Sequence, residues 1–352
     1  MADKNLSRRR FVQVSALAAA ATTLGARGTC LLAGEPAGKR LFRFIQCNDT
    51  HVEATRPSDY LRANQRFAHL VELLGKAAEG SAPDFVVGVG DLIHGENLHS
   101  LAPDLERFKG LAAHLKVPLF PVVGNHENVQ REGDAVYEAA YREHFGADRT
   151  NYTFEHGGVL FVALNNSGAP ASNRTEVGQR RNAWLRDVLE DSGDRPKIIC
   201  CHIPLVPVRE ESVLKKSFGF GSYIAHDAKL LGLVEAYSDS VVAVLSGHLH
   251  LSGVIEHKVP GHGGFYQIVT SGTASYPSDF ASYDVFPDRI HVQMHSLPEG
   301  LLEPTTNIHG KHRHGIDYTD ATHRTHEAYI RGNAEERMFD IALKGKKRIS
   351  RP

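Results

Sequence analysis

Five short apolar segments of this chain each end in a cluster of Asp, Asn and His, and this pattern constrains the fold more than any other feature. The segments read as β-strands because they are short, largely apolar and followed by Gly or polar residues. They span residues 41–46, 85–89, 117–123, 197–201 and 241–245. Parallel strands of an α/β sheet place functional residues beyond their carboxyl ends. The pattern therefore predicts an α/β fold with one site assembled at strand ends.

The order of the predicted elements indicates the architecture. Helices are predicted at 60–79, 98–115, 134–145, 176–189 and 225–237, alternating with the strands above. Segments 152–155 and 159–164, separated by two glycines, read as a β-hairpin. After residue 251 the pattern changes to short strands with Gly turns, at 254–257, 265–270, 283–286 and 289–295. We therefore expect a four-layer α/β/β/α sandwich, with two mixed β-sheets flanked by helices.

The first 36 residues resemble a twin-arginine export signal. Ser7-Arg8-Arg9-Arg10-Phe11 precedes a mildly apolar run at 14–24, which is too short for a stable membrane span. This signal implies contact with the twin-arginine translocation machinery and a periplasmic or extracellular location. A disordered basic tail followed by an ordinary helix is the alternative.

Charge and cysteine content narrow the class of protein. The formal net charge of -1 gives no reason to expect a surface for nucleic acid, and removal of the signal would leave a mildly acidic chain. The four cysteines fit no zinc-finger or CxxC spacing. Cys47, Cys200 and Cys201 lie in or beside predicted core strands, where we expect small buried apolar residues. A disulfide from Cys47 to one of the pair is the alternative.

The clusters contain the residue types that bind metal ions. Asp49 and His51 are two positions apart, so in extended backbone both project to the same side, and His248 and His250 repeat this spacing. Two metal ions sharing one carboxylate would use these side chains, and such a pair can hold both the attacking and the leaving oxygen of a phosphoryl displacement. Asp91 is the expected bridge. The mixed imidazole, carboxylate and amide ligands suit divalent or trivalent iron, manganese or zinc.

In order and spacing the five clusters resemble the signature of the calcineurin-like metallophosphoesterases. The matching elements are Asp49-x-His51, Gly90-Asp91, Gly124-Asn125-His126-Glu127, His202 and Gly247-His248-x-His250. Each element alone is common by chance, and it is their order at five strand ends that carries the resemblance. The nearest branch is the class III cyclic nucleotide phosphodiesterases. The resemblance implies a catalytic domain at 40–297, between the signal at 1–36 and a polar, His-rich C-terminal extension at 298–352.

The resemblance also implies a role for each residue. The ligands would be Asp49, His51, Asp91 and His250 for the first metal, and Asp91, Asn125, His202 and His248 for the second. A hydroxide held at the metals would attack phosphorus. His126 would contact the phosphate and protonate or stabilise the leaving oxygen, while Glu127 would orient the His126 ring. The alternative for His126 is a half-buried structural histidine.

His94 separates this chain from one branch of the family. Purple acid phosphatases carry an iron-binding Tyr three residues after the bridging Asp, where this chain has His94, so we expect no purple colour. A His here resembles the Gly-Asp-Leu-Phe-His element of double-strand-break repair nucleases. His94 is therefore a candidate substrate contact, and a role in supporting a ligand or facing solvent is the alternative.

Two further segments are open to interpretation. Residues 206–223 contain Lys215, Lys216 and three aromatic residues, and they read either as a substrate flap or as a surface loop with packed aromatics. The C-terminal extension reads as a wrapping arm with a helix near 335–343, and its histidines leave a metal-binding tail as the alternative.

These patterns together predict an exported dinuclear metal-dependent phosphoesterase that hydrolyses small phosphate mono- or diesters. A phosphodiesterase acting on cyclic nucleotides or nucleic acid is the second hypothesis; His94 supports a nuclease and the acidic charge opposes it. A non-catalytic scaffold of the same fold is the third, opposed by the complete set of ligands. The sequence leaves the oligomeric state open.

Overall fold

The computed structural model describes residues 39–54, 62–78, 80–128, 134–167, 175–218, 223–301 and 317–343. The predicted export signal and His309, His312 and His314 lie outside these ranges. Within them, no helix combines the length and apolar character needed to cross a membrane.

Twelve strands run through the described residues. They are β1 (Phe42–Cys47), β2 (Phe85–Val89), β3 (Leu119–Val122), β4 (Tyr152–His156), β5 (Val159–Ala163), β6 (Lys197–Cys200), β7 (Val241–Ser246), β8 (Gly253–His257), β9 (Phe265–Val269), β10 (Asp279–Val285), β11 (Arg289–Ser296) and β12 (Met338–Ala342). One sheet has the order β12-β11-β10-β1-β2-β3 and the other β4-β5-β6-β7-β9-β8. The strands β1, β2 and β3 are parallel in the first sheet, as are β5, β6, β7 and β9 in the second.

Eight α-helices accompany these strands in the same described ranges. They are α1 (Ala63–Gly75), α2 (Leu98–Ala112), α3 (Asp134–Phe145), α4 (Glu176–Asp191), α5 (Glu211–Phe218), α6 (Ala228–Ala236), α7 (His326–Arg331) and α8 (Ala334–Arg337). Several begin at a side chain that accepts otherwise unpaired backbone amides. Asn97 caps α2, Thr175 caps α4 and Asp227 caps α6.

The alternation of β1 residues between two faces shows how the layers pack. Phe44 lies between the sheets, stacked on Phe85 at 5.3 Å and edge-on to Phe161 at 5.2 Å between ring centroids. Ile45 and Cys47 face the opposite side, in the apolar cluster that α1 and α2 cover. The outer face of the second sheet packs in the same way against α4 and α6. The predicted four-layer sandwich is confirmed.

Most predicted elements are present, and two segments differ. Part of the predicted loop at 206–223 is the helix α5, which buries Leu214 and exposes Lys215 and Lys216. The helix predicted at 335–343 is limited to α8, because the chain then pairs with β11 as strand β12 and buries Ile341. The disulfide considered for Cys47 is not formed, since the three described cysteines are buried free thiols.

Candidate metal centre

The loops that follow five parallel strands bring the candidate ligands together. Two groups of side chains each have their ligand atoms within 4.8 Å of one another. The first group is Asp49, His51 and His250, and the second is Asp91, His202 and His248. The family resemblance assigns the same residues to the two metals. It also adds Asp91 to the first set and Asn125 to the second.

Each group contains one buried carboxylate that approaches a histidine of the other group. Oδ2 of Asp91 is 3.0 Å from Nε2 of His202 and 4.0 Å from Nε2 of His51. Oδ1 of Asp49 is 3.3 Å from Nε2 of His250 and 3.9 Å from Nε2 of His202. Each carboxylate thus approaches histidines of both groups. The role of Asp91 as the bridge stays a prediction.

The ligand-bearing residues adopt left-handed backbone conformations. Positive φ angles occur at Asp49 (45°), His51 (44°), Asp91 (50°), His248 (69°) and His250 (47°). Each such residue costs about 1–3 kcal/mol, and such strain concentrates at functional sites. The expected extended geometry of the Asp-x-His and His-x-His pairs is therefore wrong. Tight turns beyond the strand ends, which the sequence pattern does not reveal, direct these side chains inward.

The glycines of the motifs make room for ligands of other motifs. A methyl group on Gly90 would lie 2.5 Å from Cγ of His202, and one on Gly247 would lie 2.3 Å from Oδ2 of Asp49. Real side chains do not approach so closely. Gly90 also has a φ of 78°, which glycine adopts without strain. Close contact between loops therefore explains the glycines at positions 90 and 247.

The buried carboxylates of the centre favour the binding of positive charge. Burial, together with the charge of Asp91, raises the pKa of Asp49 to about 6. Burial alone would lower the pKa of His202, but the carboxylates of Asp91 and Asp49 raise it to about 10. The buried carboxylates therefore stabilise a positive charge between them, and cations of higher charge meet the same need.

Asn125 also fits a metal ligand. Its Oδ1 atom is buried and, among the described residues, accepts no hydrogen bond. Leaving a buried polar atom unsatisfied is costly, and coordination of a cation would satisfy it. The next residue, His126, donates its backbone N–H to Oδ1 of Asp91 at 2.9 Å, which places this loop at the candidate bridge. The donor set accordingly fits two transition-metal ions.

Hydrogen bonds behind the histidines orient their rings. Nδ1 of His202 donates to the carbonyl oxygen of Val89 at 2.9 Å, and Nδ1 of His250 hydrogen bonds with Oγ of Ser275. These contacts leave the Nε2 atoms facing the carboxylates, as is typical of metal-binding histidines. Sequence reasoning missed Ser275, because it lies outside the five clusters and carries no ligand-like side chain.

Glu127 has a different contact from the one expected. Its buried carboxylate accepts the backbone N–H groups of Asp91 (3.0 Å), Ile93 (3.0 Å) and Gly124 (2.7 Å). Burial and the charge of Asp91 raise the pKa of Glu127 to about 7. The expectation that Glu127 orients the His126 ring is wrong, because its oxygens join the loops after β2 and β3.

The ring of His126 is instead held by the backbone carbonyl of His94, which accepts a hydrogen bond from Nδ1. Its Nε2 lies 3.9 Å from Oδ2 of Asp91, and 32% of the side chain is exposed. The ring centroids of His94 and His126 are 5.5 Å apart, and both histidines form a third potential ligand group with His51. The structure thus brings His94 and His126 together beside the first metal group.

Comparisons with known proteins agree with this geometry. The family described as calcineurin-like phosphoesterase matches residues 42–252, more than half of the chain. A probable cyclic nucleotide phosphodiesterase of Rhodococcus erythropolis is 26% identical over 215 residues, which are 59% of this chain and 64% of that relative, so the match spans less than two thirds of the relative.

Two solved structures share the fold. A dimetal phosphatase from Danio rerio has a TM-score of 0.55 at 17% identity, covering 73% of this chain and 97% of its own. The purple acid phosphatase PPD1 of yellow lupin (Lupinus luteus) has a TM-score of 0.54 at 13% identity, covering 72% and 51%. The family match over residues 42–252 shows that the chain belongs to the calcineurin-like phosphoesterase family, and the shared fold agrees with it.

Proposed function

We propose that this protein hydrolyses phosphate mono- or diesters with two transition-metal ions bound at the ends of the parallel strands. One observation carries the proposal. Two groups of ligand atoms lie next to each other, each with one buried carboxylate, and Asp91 approaches His202 of its own group at 3.0 Å and His51 of the other at 4.0 Å. A centre of this kind suits an ester whose phosphoryl oxygens gain charge during displacement.

The ligand residues would hold the ions as the sequence assigns them. One ion would be held by Asp49, His51 and His250. The other would be held by Asn125, His202 and His248, and Asp91 would contribute to both sites. When bound, such ions neutralise phosphoryl charge and lower the pKa of water to near neutrality. Burial of the carboxylates keeps competing water away and strengthens their interaction with cations.

We assign proton donation to the leaving group to His126. The carbonyl of His94 accepts a hydrogen bond from Nδ1, so Nε2 is the nitrogen that faces the centre. A protonated Nε2 could donate to the leaving oxygen, while the carbonyl stabilises the positive charge on the ring. The partial exposure of His126 leaves room for an ester beside it.

The function is tested with a panel of nitrophenyl mono- and diesters, cyclic nucleotides, glycerophosphodiesters and single-stranded DNA. We expect chelator-sensitive hydrolysis of at least one ester class and close to two metal ions per chain by elemental analysis. Chelator-insensitive activity, or active protein with almost no metal, would refute the proposal. Absence of activity from protein that holds two ions would favour the scaffold hypothesis.

Hydrolysis of cyclic nucleotides is the second candidate function. The relative from Rhodococcus erythropolis is described as a probable cyclic nucleotide phosphodiesterase, and it is 26% identical to this chain over 215 residues. A nuclease is favoured only by His94, in a chain without excess positive charge. Preference for a cyclic nucleotide over nitrophenyl monoesters and DNA, compared by kcat/KM, would select this candidate.

We also propose that residues 1–36 direct export by the twin-arginine route, which would give the enzyme access to organic phosphate esters outside the cytoplasm. The support is the order of the signal's parts, with Arg8 and Arg9 before an apolar run. In a bacterium with this route, a reporter fused to residues 1–36 should reach the periplasm. An Arg8→Lys/Arg9→Lys variant should stay inside, and equal export of both reporters would contradict the proposal.

A further inference from the structure

The loop after β7 alternates two histidines of the metal centre with two leucines. His248 and His250 belong to the two ligand groups, whereas Leu249 and Leu251 are fully buried in a separate apolar cluster. Other members of this cluster come from the C-terminal extension: Tyr318, Tyr329 and Ile330. The extension thus packs against the side of the loop that faces away from the metal centre.

The end of the same loop is held by the extension through hydrogen bonds. The backbone N–H of Ser252 donates to the carbonyl of Ile330 at 2.8 Å. The buried guanidinium of Arg209 donates to the carbonyl oxygens of Ser252 at 2.5 Å and Tyr329 at 2.9 Å. Arg209 also forms an ion pair with Glu336 at 2.7 Å. Both backbone groups of Ser252 therefore depend on the position of the extension.

A second connection runs through the buried carboxylate of Asp279. Arg337 donates to its two oxygens at 2.8 and 3.2 Å, an arrangement that is both strong and directional. The hydroxyls of Ser252 and Ser296 donate to the same carboxylate at 2.5 and 2.6 Å. Asp279 consequently joins the loop after β7, the strand β11 and the extension at one point.

Segment 271–279, which ends at Asp279, also contacts the metal ligands. Its Ser275 hydroxyl hydrogen bonds with Nδ1 of His250, and the N–H of Ala274 donates to the carbonyl of Asp49 at 3.0 Å. Gly272 passes so close to Asp49 that a methyl group there would lie 2.4 Å from its Cβ atom. A shift of this segment would therefore move both Asp49 and His250.

We propose that residues 317–343 are a positioning element of the metal centre, and that Arg337 acts through Asp279 to hold His250 in place for the first metal. The inference rests on the proposed function only in requiring that the centre binds metal ions. Ser275, Asp279 and Arg337 all lie beyond residue 252, where the family match ends. We expect the first metal group to depend on Arg337 more than the second, because segment 271–279 hydrogen bonds with two members of the first group, His250 and Asp49.

The test measures the affinity of chelator-treated protein for Zn²⁺, and separately for Mn²⁺, by competition with a chromophoric chelator well below the unfolding temperature. For Arg337→Met we expect one of two sites to bind about tenfold more weakly, the lower range for residues that orient a ligand. Arg337→Lys should recover part of the loss. The matched control is Asp340→Asn, which removes a contact between β12 and His291 of β11 and leaves segment 271–279 untouched.

The outcomes separate positioning from general stability. Two unchanged affinities in folded Arg337→Met protein would overturn the proposal, even if its unfolding temperature falls. If Arg337→Met does not fold, Arg337→Lys and Ser252→Ala decide in the same way, since the serine variant removes the hydroxyl that donates to Asp279 and accepts the N–H of Ser271, and leaves Arg337 in place. Wild-type protein that binds two ions but hydrolyses no ester would refute the proposed function and leave this inference intact.

Discussion

The ligand loops of the two sheets are supported in different ways. The loops after β1, β2 and β3 bind one another: Asp49 donates its N–H to Gly90, His51 donates to Asp91, and Glu127 accepts three amides. The loop after β7 is instead held largely by segments far along the chain, through Ser275, Asp279 and the C-terminal extension. The half of the centre on the first sheet is thus stabilised mainly by its own motifs, with one added contact from Ala274 to Asp49, and the half after β7 mainly by segments beyond the motifs.

This difference shows which residues of a site a sequence motif identifies. Within residues 42–252 the family match includes the ligand clusters and the contacts that join the first three loops. The supports of His250 come from elsewhere, and they consist of serines, an aspartate and an arginine that resemble ordinary surface residues in the sequence. Motif matching finds the ligands of both halves but the supports of only one.

The most severe test of the shared centre is Asp91→Asn. If both halves use this carboxylate, the variant should lose at least about 10³-fold in kcat, because several kcal/mol of charge stabilisation disappear. Elemental analysis should show fewer than two ions per chain. Asp288→Asn, which alters an exposed carboxylate, is the control. Full activity with two ions would exclude Asp91 as the bridge.

His126→Ala tests the half that is supported by its own motifs without removing a ligand. We expect two ions to stay bound while kcat falls about 10²–10⁴-fold, the range for loss of a general acid. Esters with poor leaving groups should lose most, and nitrophenyl esters least. An equal loss for all esters, measured as kcat across a series of leaving groups, would argue against proton donation by His126.

Glu127→Gln tests the support within the first three loops. A glutamine amide can accept with one oxygen only and presents an N–H₂ group to backbone donors, so the loops after β2 and β3 should separate. We expect metal affinity to fall about 10–100-fold. The exposed pair of Glu155 with Arg195 offers a control, since Glu155→Gln should leave metal affinity unchanged. Unchanged affinity in the Glu127 variant would show that the ligand loops are held by other contacts.

Glu336→Gln tests the contacts of the C-terminal extension. We expect the smallest effect from this variant. Burial alone would raise the pKa of Glu336, but His323 and Arg209 help to lower it to about 2. A lowered pKa stabilises the folded state above the ordinary value of 4.5, and this stabilisation is lost as the pH falls toward 2.

The free energy of unfolding of Glu336→Gln should therefore be lower than that of the wild type by on the order of 2–3 kcal/mol at pH 7. The difference should shrink progressively below pH 4.5. Denaturant titrations at several pH values measure it. A difference that does not change with pH would mean that the charge of Glu336 contributes nothing to docking of the extension.

The His-rich extension shows why local patterns were misleading at this end of the chain. His323 contacts Glu336 at 2.6 Å and Asp320 at 3.1 Å, so it has a structural role in the ion-pair network. The helical pattern near 335–343 ends early because β11 offers a strand partner for Met338–Ala342. That partner lies more than forty residues away, and pairing with it outweighs the local preference.

The sequence alone determined the alternation of elements, the layers and the residues able to bind metal, because apolar periodicity and ligand chemistry are local properties. Only the tertiary structure decided the left-handed turns that direct Asp49, His51 and Asp91 inward, the use of Glu127 on backbone amides, and the chain of contacts from Arg337 to His250. These features depend on which distant backbone segments approach one another. A buried donor or acceptor takes whichever partner the fold brings near, and no local pattern records that choice.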